Sequence, residues 1–121
     1  MGYDIEFRVK VEGLKDKYIR IGHCDANIIW NIRGMIVKST GLEWKNEKNN
    51  GLCKDVMPHI ADGLAELMRY PEKYKQYETQ NGWGTIEKCK KFFLTIINDW
   101  NKFCEDYETR DLADVTYFWI T

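Results

Sequence analysis

Asn81-Gly82-Trp83-Gly84-Thr85 leads directly into the longest helix that the sequence predicts, which runs to about residue 107. Thr85 is a residue type that accepts hydrogen bonds from the free N–H groups at the start of a helix. Beyond it, apolar residues recur at the spacing of one helix face, and charged residues occupy the opposite face. A long amphipathic helix needs a flat apolar surface to cover, which favours a fold with a sheet. Its predicted apolar stripe consists of Ile86, Cys89, Phe93, Ile96, Ile97, Trp100, Phe103, Cys104 and Tyr107.

The two ends of the chain carry the strand signals. Residues 3–11 alternate between apolar and charged side chains, as in a half-buried strand, and residues 17–22 alternate again after a turn. A β-hairpin is therefore predicted at the start. Residues 115–121 are rich in β-branched and aromatic side chains and predict a closing strand. Because both faces of this strand are apolar, we expect it to be more buried than the first two, or to meet a partner.

Two further helices are predicted between these strands. Residues 28–39 and 54–70 both place apolar side chains at helical spacing, and Pro71 ends the second helix. A short helical turn is expected at 72–78, whereas residues 42–51 are polar and resemble a loop. The stripe of the first helix is Ile28, Ile32, Met35 and Ile36.

The predicted element order is β-β-α-α-α-β, which indicates an α+β fold. We expect a small antiparallel sheet, made of the N-terminal hairpin and the C-terminal strand, with about three helices on one face. The 121 residues fit a single domain over residues 1–121.

Composition predicts a soluble, cytoplasmic protein. The chain has 18 basic and 19 acidic side chains and a net charge of -1, whereas a generic nucleic-acid-binding protein would carry a basic excess. Lys88, Lys90 and Lys91 cluster on the long helix, where a solvated face is the ordinary interpretation. No apolar run reaches membrane-spanning length, and the acidic N-terminus does not resemble a signal peptide. We therefore expect no membrane partner.

The cysteines and histidines give little support for catalysis or metal binding. No two cysteines stand at C-x-x-C spacing, and His23-Cys24-Asp25 lacks a fourth ligand at a useful distance, so we predict no metal and no other cofactor. A thiol enzyme using Cys24 and His59 is the least favoured functional hypothesis, because no oxyanion-type turn surrounds the cysteine. Reduced thiols are expected instead, and Cys89 and Cys104, on the apolar stripe of the long helix, are expected to be small buried side chains. The four cysteines are Cys24, Cys53, Cys89 and Cys104.

The strongest remaining signals are aromatic and amide side chains in or beside loops. Aromatic faces combined with amide groups can hold a planar ligand or form the centre of a protein interface. The predicted ligand- or partner-binding site consists of Asn27, Asn31, Trp44, Tyr70, Tyr74, Tyr77, Asn81, Gly82 and Trp83.

A structural role remains open for several of these residues. Asn27 and Asn31 are four residues apart and would share a helix face, where an asparagine needs a polar partner. The tyrosines and Trp83 could instead brace the connection against the long helix, and burial is the simpler expectation for Trp44. The helix start at Thr85 lacks the lysine and spacing of a phosphate-binding loop, and could hold an anion only weakly.

A pattern spread over most of the chain resembles a group of small phage and prophage proteins that carry no established activity. The matching residues are Asn27, Asn31, Met35, Gly51, the run Tyr70-Pro71-Glu72-Lys73-Tyr74 and the run Asn81-Gly82-Trp83-Gly84-Thr85. The resemblance covers about residues 23–103, and the group typically has a Tyr-Asn pair where this chain has Trp30-Asn31. It implies a phage or mobile-element context and assigns no catalytic residue.

Three functional hypotheses follow. The first is a small, non-enzymatic, phage-type protein that modulates a host system, such as a defence system, by binding a host protein through the aromatic loop and an exposed edge of the C-terminal strand. The same strand edge could form a homodimer. The second is a protein that sequesters a nucleotide-like ligand, with Trp83 or Trp44 stacking and asparagines hydrogen-bonding. The third is the thiol enzyme.

Overall fold

The sheet is built on β1 (Gly2–Lys10), and all of its strands are antiparallel. In the computed structural model, which describes residues 2–121, the other strands are β2 (Tyr18–Arg20), β3 (Asn27–Ile29), β4 (Lys48–Leu52) and β5 (Thr116–Ile120). The strand order is β2-β1-β5-β4, and β3 pairs with the first residues of β1. The predicted hairpin of β1 and β2 is confirmed. The α+β fold class is confirmed as well.

The C-terminal strand lies inside the sheet. β5 pairs with β1 on one side, where Phe7 is opposite Phe118, and with β4 on the other, where Leu52 is opposite Tyr117. The prediction of an exposed edge on this strand is therefore wrong, because β4 is its second neighbour, although residues 48–51 are predicted to be a loop. The basis for a homodimer through the β5 edge is removed with it.

Three α-helices and several 3-10 turns complete the fold. They are α1 (Arg33–Thr40), α2 (Cys53–Arg69) and α3 (Ile86–Glu105), with 3-10 turns at Trp30–Ile32, Pro71–Lys73, Lys75–Tyr77 and Arg110–Val115. The helix predicted over residues 28–39 begins later than expected, because residues 27–29 pair with β1 as a strand. Gly41 ends α1 with a φ of 75°, a left-handed conformation that glycine adopts without strain.

The core lies between the helices and one face of the sheet. Alternate residues Tyr3, Ile5 and Phe7 of β1 are buried against it, as are Phe118 and Ile120 of β5. Aromatic rings from the helices meet them edge-on, which is the arrangement that their charge distribution favours. Phe7 contacts Trp100 and Phe103 of α3, with ring centres 5.3 and 5.6 Å apart.

The opposite face of the sheet is partly exposed and carries its own cluster. Arg8 lies over the ring of Trp119 at 4.1 Å, and Tyr18 contacts Tyr117 and Trp119. Glu6 pairs with Arg8. The second apolar face of the C-terminal strand is thus partly covered by neighbouring strands of the same chain.

The long helix α3 confirms most of the predicted stripe. Ile86, Cys89, Phe93 and Ile96 are buried, and Phe92 joins them. Tyr107 lies beyond the helix end and is 79% exposed, so its assignment to the stripe is wrong. Within residues 2–121, no helix combines the length and the apolarity that crossing a bilayer requires.

Candidate functional site

The loop before α3 is fixed by hydrogen bonds among its own residues. The backbone N–H of Thr79 donates to the carbonyl of Gly84 at 2.9 Å, and the N–H of Gly84 donates to the Thr79 hydroxyl at 2.7 Å. Oδ1 of Asn81 accepts from the Thr79 hydroxyl at 2.7 Å and from the N–H of Trp83 at 3.0 Å. Gly82 turns the chain between them with a φ of 75°. The loop therefore presents the Trp83 ring, which is 64% exposed, without depending on a ligand.

The start of α3 is already occupied by protein groups. The N–H of Ile86 donates to Oε2 of Glu78 at 2.9 Å, and the N–H of Lys88 donates to the Thr85 hydroxyl at 3.2 Å. Thr85 is thus the cap that the sequence predicts. The weak anion site expected there is not supported, because the Glu78 carboxylate takes that place.

A groove of about 750 Å³ lies beside Trp83, between β3 and α3. One wall is the backbone and side chains of residues 25–29 together with the start of β1, and the other is one side of the first half of α3. Its lining residues are Gly2, Asp4, Asp25, Ala26, Asn27, Ile28, Ile29, Trp83, Lys88, Lys91, Phe92 and Thr95.

The β3 wall leaves backbone hydrogen-bonding groups on its outer edge. Asp4 exchanges both backbone hydrogen bonds with Thr121, on the β5 side of β1. Asn27 lies opposite Asp4 on the β3 side of β1. Because the backbone groups of Asp4 are directed toward β5, Asp4 and Asn27 form a non-hydrogen-bonded pair, and the N–H and C=O of Asn27 point away from β1. The same alternation turns the N–H of Ile29 outward, while its carbonyl accepts the first bond of the following 3-10 turn. Three backbone groups therefore lie on the outer edge of β3, on the side away from β1.

The two walls are tied together at one end. The N–H of Asp25 donates to Oδ2 of Asp99 on α3 at 2.9 Å. Trp83 precedes Thr85 at the other end of the helix, and the 14 residues from Thr85 to Asp99 span about 21 Å of helix. The groove lies within this span, beside Lys88, Lys91 and Thr95, and both Trp83 and Asp25 line it.

The charges in the groove are divided between its walls. Lys88 and Lys91 are one helical turn apart on α3, and both are exposed and form no salt bridge with a carboxylate of the described chain. Lys90 points elsewhere and pairs with Glu87 at 3.0 Å. Asp4 and Asp25 lie on the strand wall, where Asp25 pairs with His23 at 2.7 Å. The prediction that all three lysines form a plain solvated face is therefore too simple, since two of them line the groove.

Four of the predicted site residues lie at or beside the groove. Asn27 and Trp83 line it, and Asn81 and Gly82 hold the Trp83 loop. Asn31 is exposed in the 3-10 turn and is not part of the groove wall, so the shared helix face of Asn27 and Asn31 is wrong.

Trp44 and the tyrosines are separate from the groove. Trp44 is 2% exposed and packs against Tyr3, which confirms its burial and removes it from the site. Tyr74 is buried, and its hydroxyl donates to Glu66 at 3.0 Å. Burial raises the pKa of Tyr74 to about 12, and the hydrogen bond to Glu66 and its negative charge add to this effect. Tyr77 is half-buried, and Tyr70 is exposed beside Lys73. Tyr74 thus braces the connection against α2, and Tyr77 lies beside Gly34 of α1, whereas the expected support was the long helix.

Cys24 and His59 are not brought together. Cys24 lines a small cavity with Arg20 and Thr121, whereas His59 lies at a different one, with its Nδ1 3.2 Å from the carbonyl of Thr40. Burial raises the pKa of the Cys24 thiol to about 12, which is opposite to the shift that a nucleophile needs. Within the described residues, no cluster of three or more histidine, cysteine or carboxylate side chains is arranged to hold a metal ion.

Two elements of the groove are missing from the sequence prediction. The sequence does not reveal the edge of β3, because the apolar spacing after Asn27 predicts a helix there. Lys88, Lys91 and Thr95 do carry a signal, because they recur at spacings of three and four residues along one side of α3. The sequence alone does not distinguish this side of α3 from a solvated face, because it does not reveal the strand wall opposite.

The sequence matches no protein-family model, and neither a curated protein nor a solved structure is significantly similar to it. The resemblance to phage proteins therefore stays a prediction. The fold and the groove define the class of protein by themselves: an α+β domain with an open channel between an edge strand and a long helix.

Proposed function

We propose that this chain is a small, non-enzymatic protein-binding module that acts by occupying a surface of another protein. In the phage context that the sequence suggests, the partner is a host protein, such as a component of a defence system. The observation that carries the proposal is Trp83, an exposed tryptophan on a loop whose polar groups are bonded to one another.

The exposed ring is a large source of binding energy. Tryptophan is enriched among the few residues that dominate protein interfaces. With 64% of the side chain exposed and roughly 250 Å² in a full tryptophan, about 160 Å² is available for burial. At about 25 cal/mol per Å², burying it would contribute up to about 4 kcal/mol, before the costs of association.

The hydrogen-bonded loop reduces one of those costs. Ordering a flexible loop on binding lowers affinity, and a loop already held in one conformation avoids this loss. Asn81 supplies the holding interaction, because its side-chain oxygen accepts from both sides of the turn. The high pKa of the buried Cys24 thiol further favours binding over thiol catalysis.

Affinity capture from a host-type bacterial lysate tests the proposal. The bait is the wild type, Trp83→Ala or Tyr107→Ala; Tyr107 is a still more exposed aromatic residue beyond the far end of α3. We expect at least one protein to be captured by the wild type and by Tyr107→Ala, and to be lost with Trp83→Ala. If capture by Trp83→Ala matches that of the wild type for every protein, the tryptophan is not the binding element.

A nucleotide-like ligand is the second candidate, because the groove has the volume of a small-molecule site and places Lys88 and Lys91 near the Trp83 ring. A ligand that binds only the folded state at 100 times its Kd stabilises it by about 2.7 kcal/mol. Melting temperatures measured with nucleoside mono-, di- and triphosphates should then rise in the wild type and not in Lys88→Glu. Unchanged melting temperatures with every nucleotide would eliminate this candidate.

A further inference from the structure

We infer that the groove accepts an extended, acidic segment of the partner protein, which adds to the outer edge of β3 as a new strand of the sheet. This inference rests on the proposed function and specifies how the partner is held.

The backbone of β3 provides the template. Asn27 can exchange two hydrogen bonds with a residue on an added strand, and the N–H of Ile29 can donate a third. Asn27 and Ile29 are two residues apart, which is the repeat at which antiparallel strands form their paired bonds. Main-chain bonding of this kind does not depend on the partner's sequence, and it explains why an edge strand attracts extended chains.

The dimensions of the groove match a short strand. The α3 residues that line it run from Lys88 to Thr95, which is about 10 Å of helix. A strand advances about 3.3 Å per residue, so about three residues of an extended segment lie within the groove. Trp83, together with the almost fully buried Phe92 and Ile28, supplies the apolar part of the lining.

The charged side chains of the groove favour acidic side chains on only one face of the partner's extended segment. Side chains on one face of a strand recur about 6.6 Å apart, close to the roughly 5–6 Å between the Cβ atoms of helical residues three apart. Two acidic side chains at alternate positions can therefore each meet one of Lys88 and Lys91. Asp4 and Asp25 on the opposite wall disfavour acidic side chains at the positions between. The expected signature is an alternating acidic pattern rather than a run of acids.

Selection from a random library of displayed hexapeptides tests this inference, with the intact chain as the immobilised target. Enriched peptides should carry Asp or Glu at alternate positions. Their affinity should fall at least about tenfold for the double variant Lys88→Glu/Lys91→Glu. Lys90→Glu is the matched control, because Lys90 lies on the same helix but pairs with Glu87 outside the groove, and it should retain at least half of the affinity.

Amide hydrogen exchange distinguishes strand addition from side-chain binding alone. A bound peptide should slow exchange of the N–H groups of Asn27 and Ile29, and N-methylation of the peptide backbone at alternate residues should abolish binding. The inference is overturned if no peptide is enriched, if the enriched peptides lack the acidic pattern, or if exchange at both amides is unchanged.

The two proposals fail separately. If hexapeptides do not bind while Trp83-dependent capture of a protein persists, strand addition is wrong and the binding function stands. If peptides bind and protect both amides while Trp83→Ala still captures every protein, the groove is a peptide site and the proposed role of Trp83 is wrong.

Discussion

Gly63→Ala should destabilise the protein, although alanine is the better helix former by about 1 kcal/mol. A Cβ atom on Gly63 would lie 2.6 Å from the Cγ2 methyl of Thr40 and 3.1 Å from the ring of Phe93. The methyl cannot rotate away cheaply, because the Thr40 hydroxyl donates to the carbonyl of Ile36 at 2.7 Å and accepts from the N–H of Leu42 at 3.1 Å. Overpacking of a buried site costs about 1–3 kcal/mol, and this pinned contact belongs in the upper part of that range.

The net loss should be about 1–2 kcal/mol, or roughly 4–8 °C in melting temperature for a domain of this size. Urea unfolding and calorimetry measure both quantities. Thr40→Ser removes the obstructing methyl and keeps the hydroxyl, so in that background Gly63→Ala should cost less than half as much. Ala61→Gly, on the exposed side of α2, is the propensity control and should cost about 1 kcal/mol. If Gly63→Ala raises the melting temperature, or Thr40→Ser gives no relief, the close packing of α2 on α1 is wrong.

Two further predictions concern buried groups. Nε1 of Trp44 is buried without a hydrogen-bond partner among the described residues, which costs about 1–3 kcal/mol. Trp44→Phe should therefore change the free energy of unfolding little, whereas Trp44→Ala should lower it by about 3–5 kcal/mol. Equal losses for the two variants would contradict this prediction. Burial raises the pKa of Cys24 and Cys89 to about 12 and that of Cys53 further, from an ordinary value of 9.0. Above pH 9 the unfolded chain therefore binds fewer protons than the folded one, and stability should fall as pH rises, by up to about 1.4 kcal/mol per pH unit for each thiol. Urea unfolding in reducing buffer from pH 8 to 10.5 measures this slope, which Cys89→Ala should make shallower; an unchanged slope would refute the assignment.

Elements with strong periodicity could be predicted from the sequence. The alternation in β1, the aromatic and β-branched run in β5, and the apolar stripes of α2 and α3 each bury enough side chain to dominate the local structure. The cap at Thr85 follows from its residue type and position.

The two short strands could not be predicted, for different physical reasons. β3 is three residues long, and Ile28 continues the spacing of Ile32 and Met35, so the pattern resembles one helix. β4 contains Asn49, Asn50 and a glycine, which have low strand propensity, and it forms because β5 offers a paired edge. Pairing with a neighbouring strand therefore determines the secondary structure of both segments.

The candidate site could be predicted only in part, because it too depends on strand pairing. Trp83 follows from the sequence, because an aromatic residue between two glycines is not needed to start a helix. The groove beside it depends on β3, whose outer edge exists only once Asn27 pairs opposite Asp4. Asn31 and Trp44 belong to the predicted site only because amide and aromatic side chains are common in binding sites. Their positions in the fold exclude them from the groove.

The affinity of a captured partner for the wild type and for Trp83→Ala, measured by calorimetric titration, tests the central claim most directly. Loss of an interface anchor of this kind costs at least about 2 kcal/mol, or about 30-fold in Kd. We expect that loss with the melting temperature of the free protein nearly unchanged, since the ring is 64% exposed. Equal affinities for the two proteins would contradict the account.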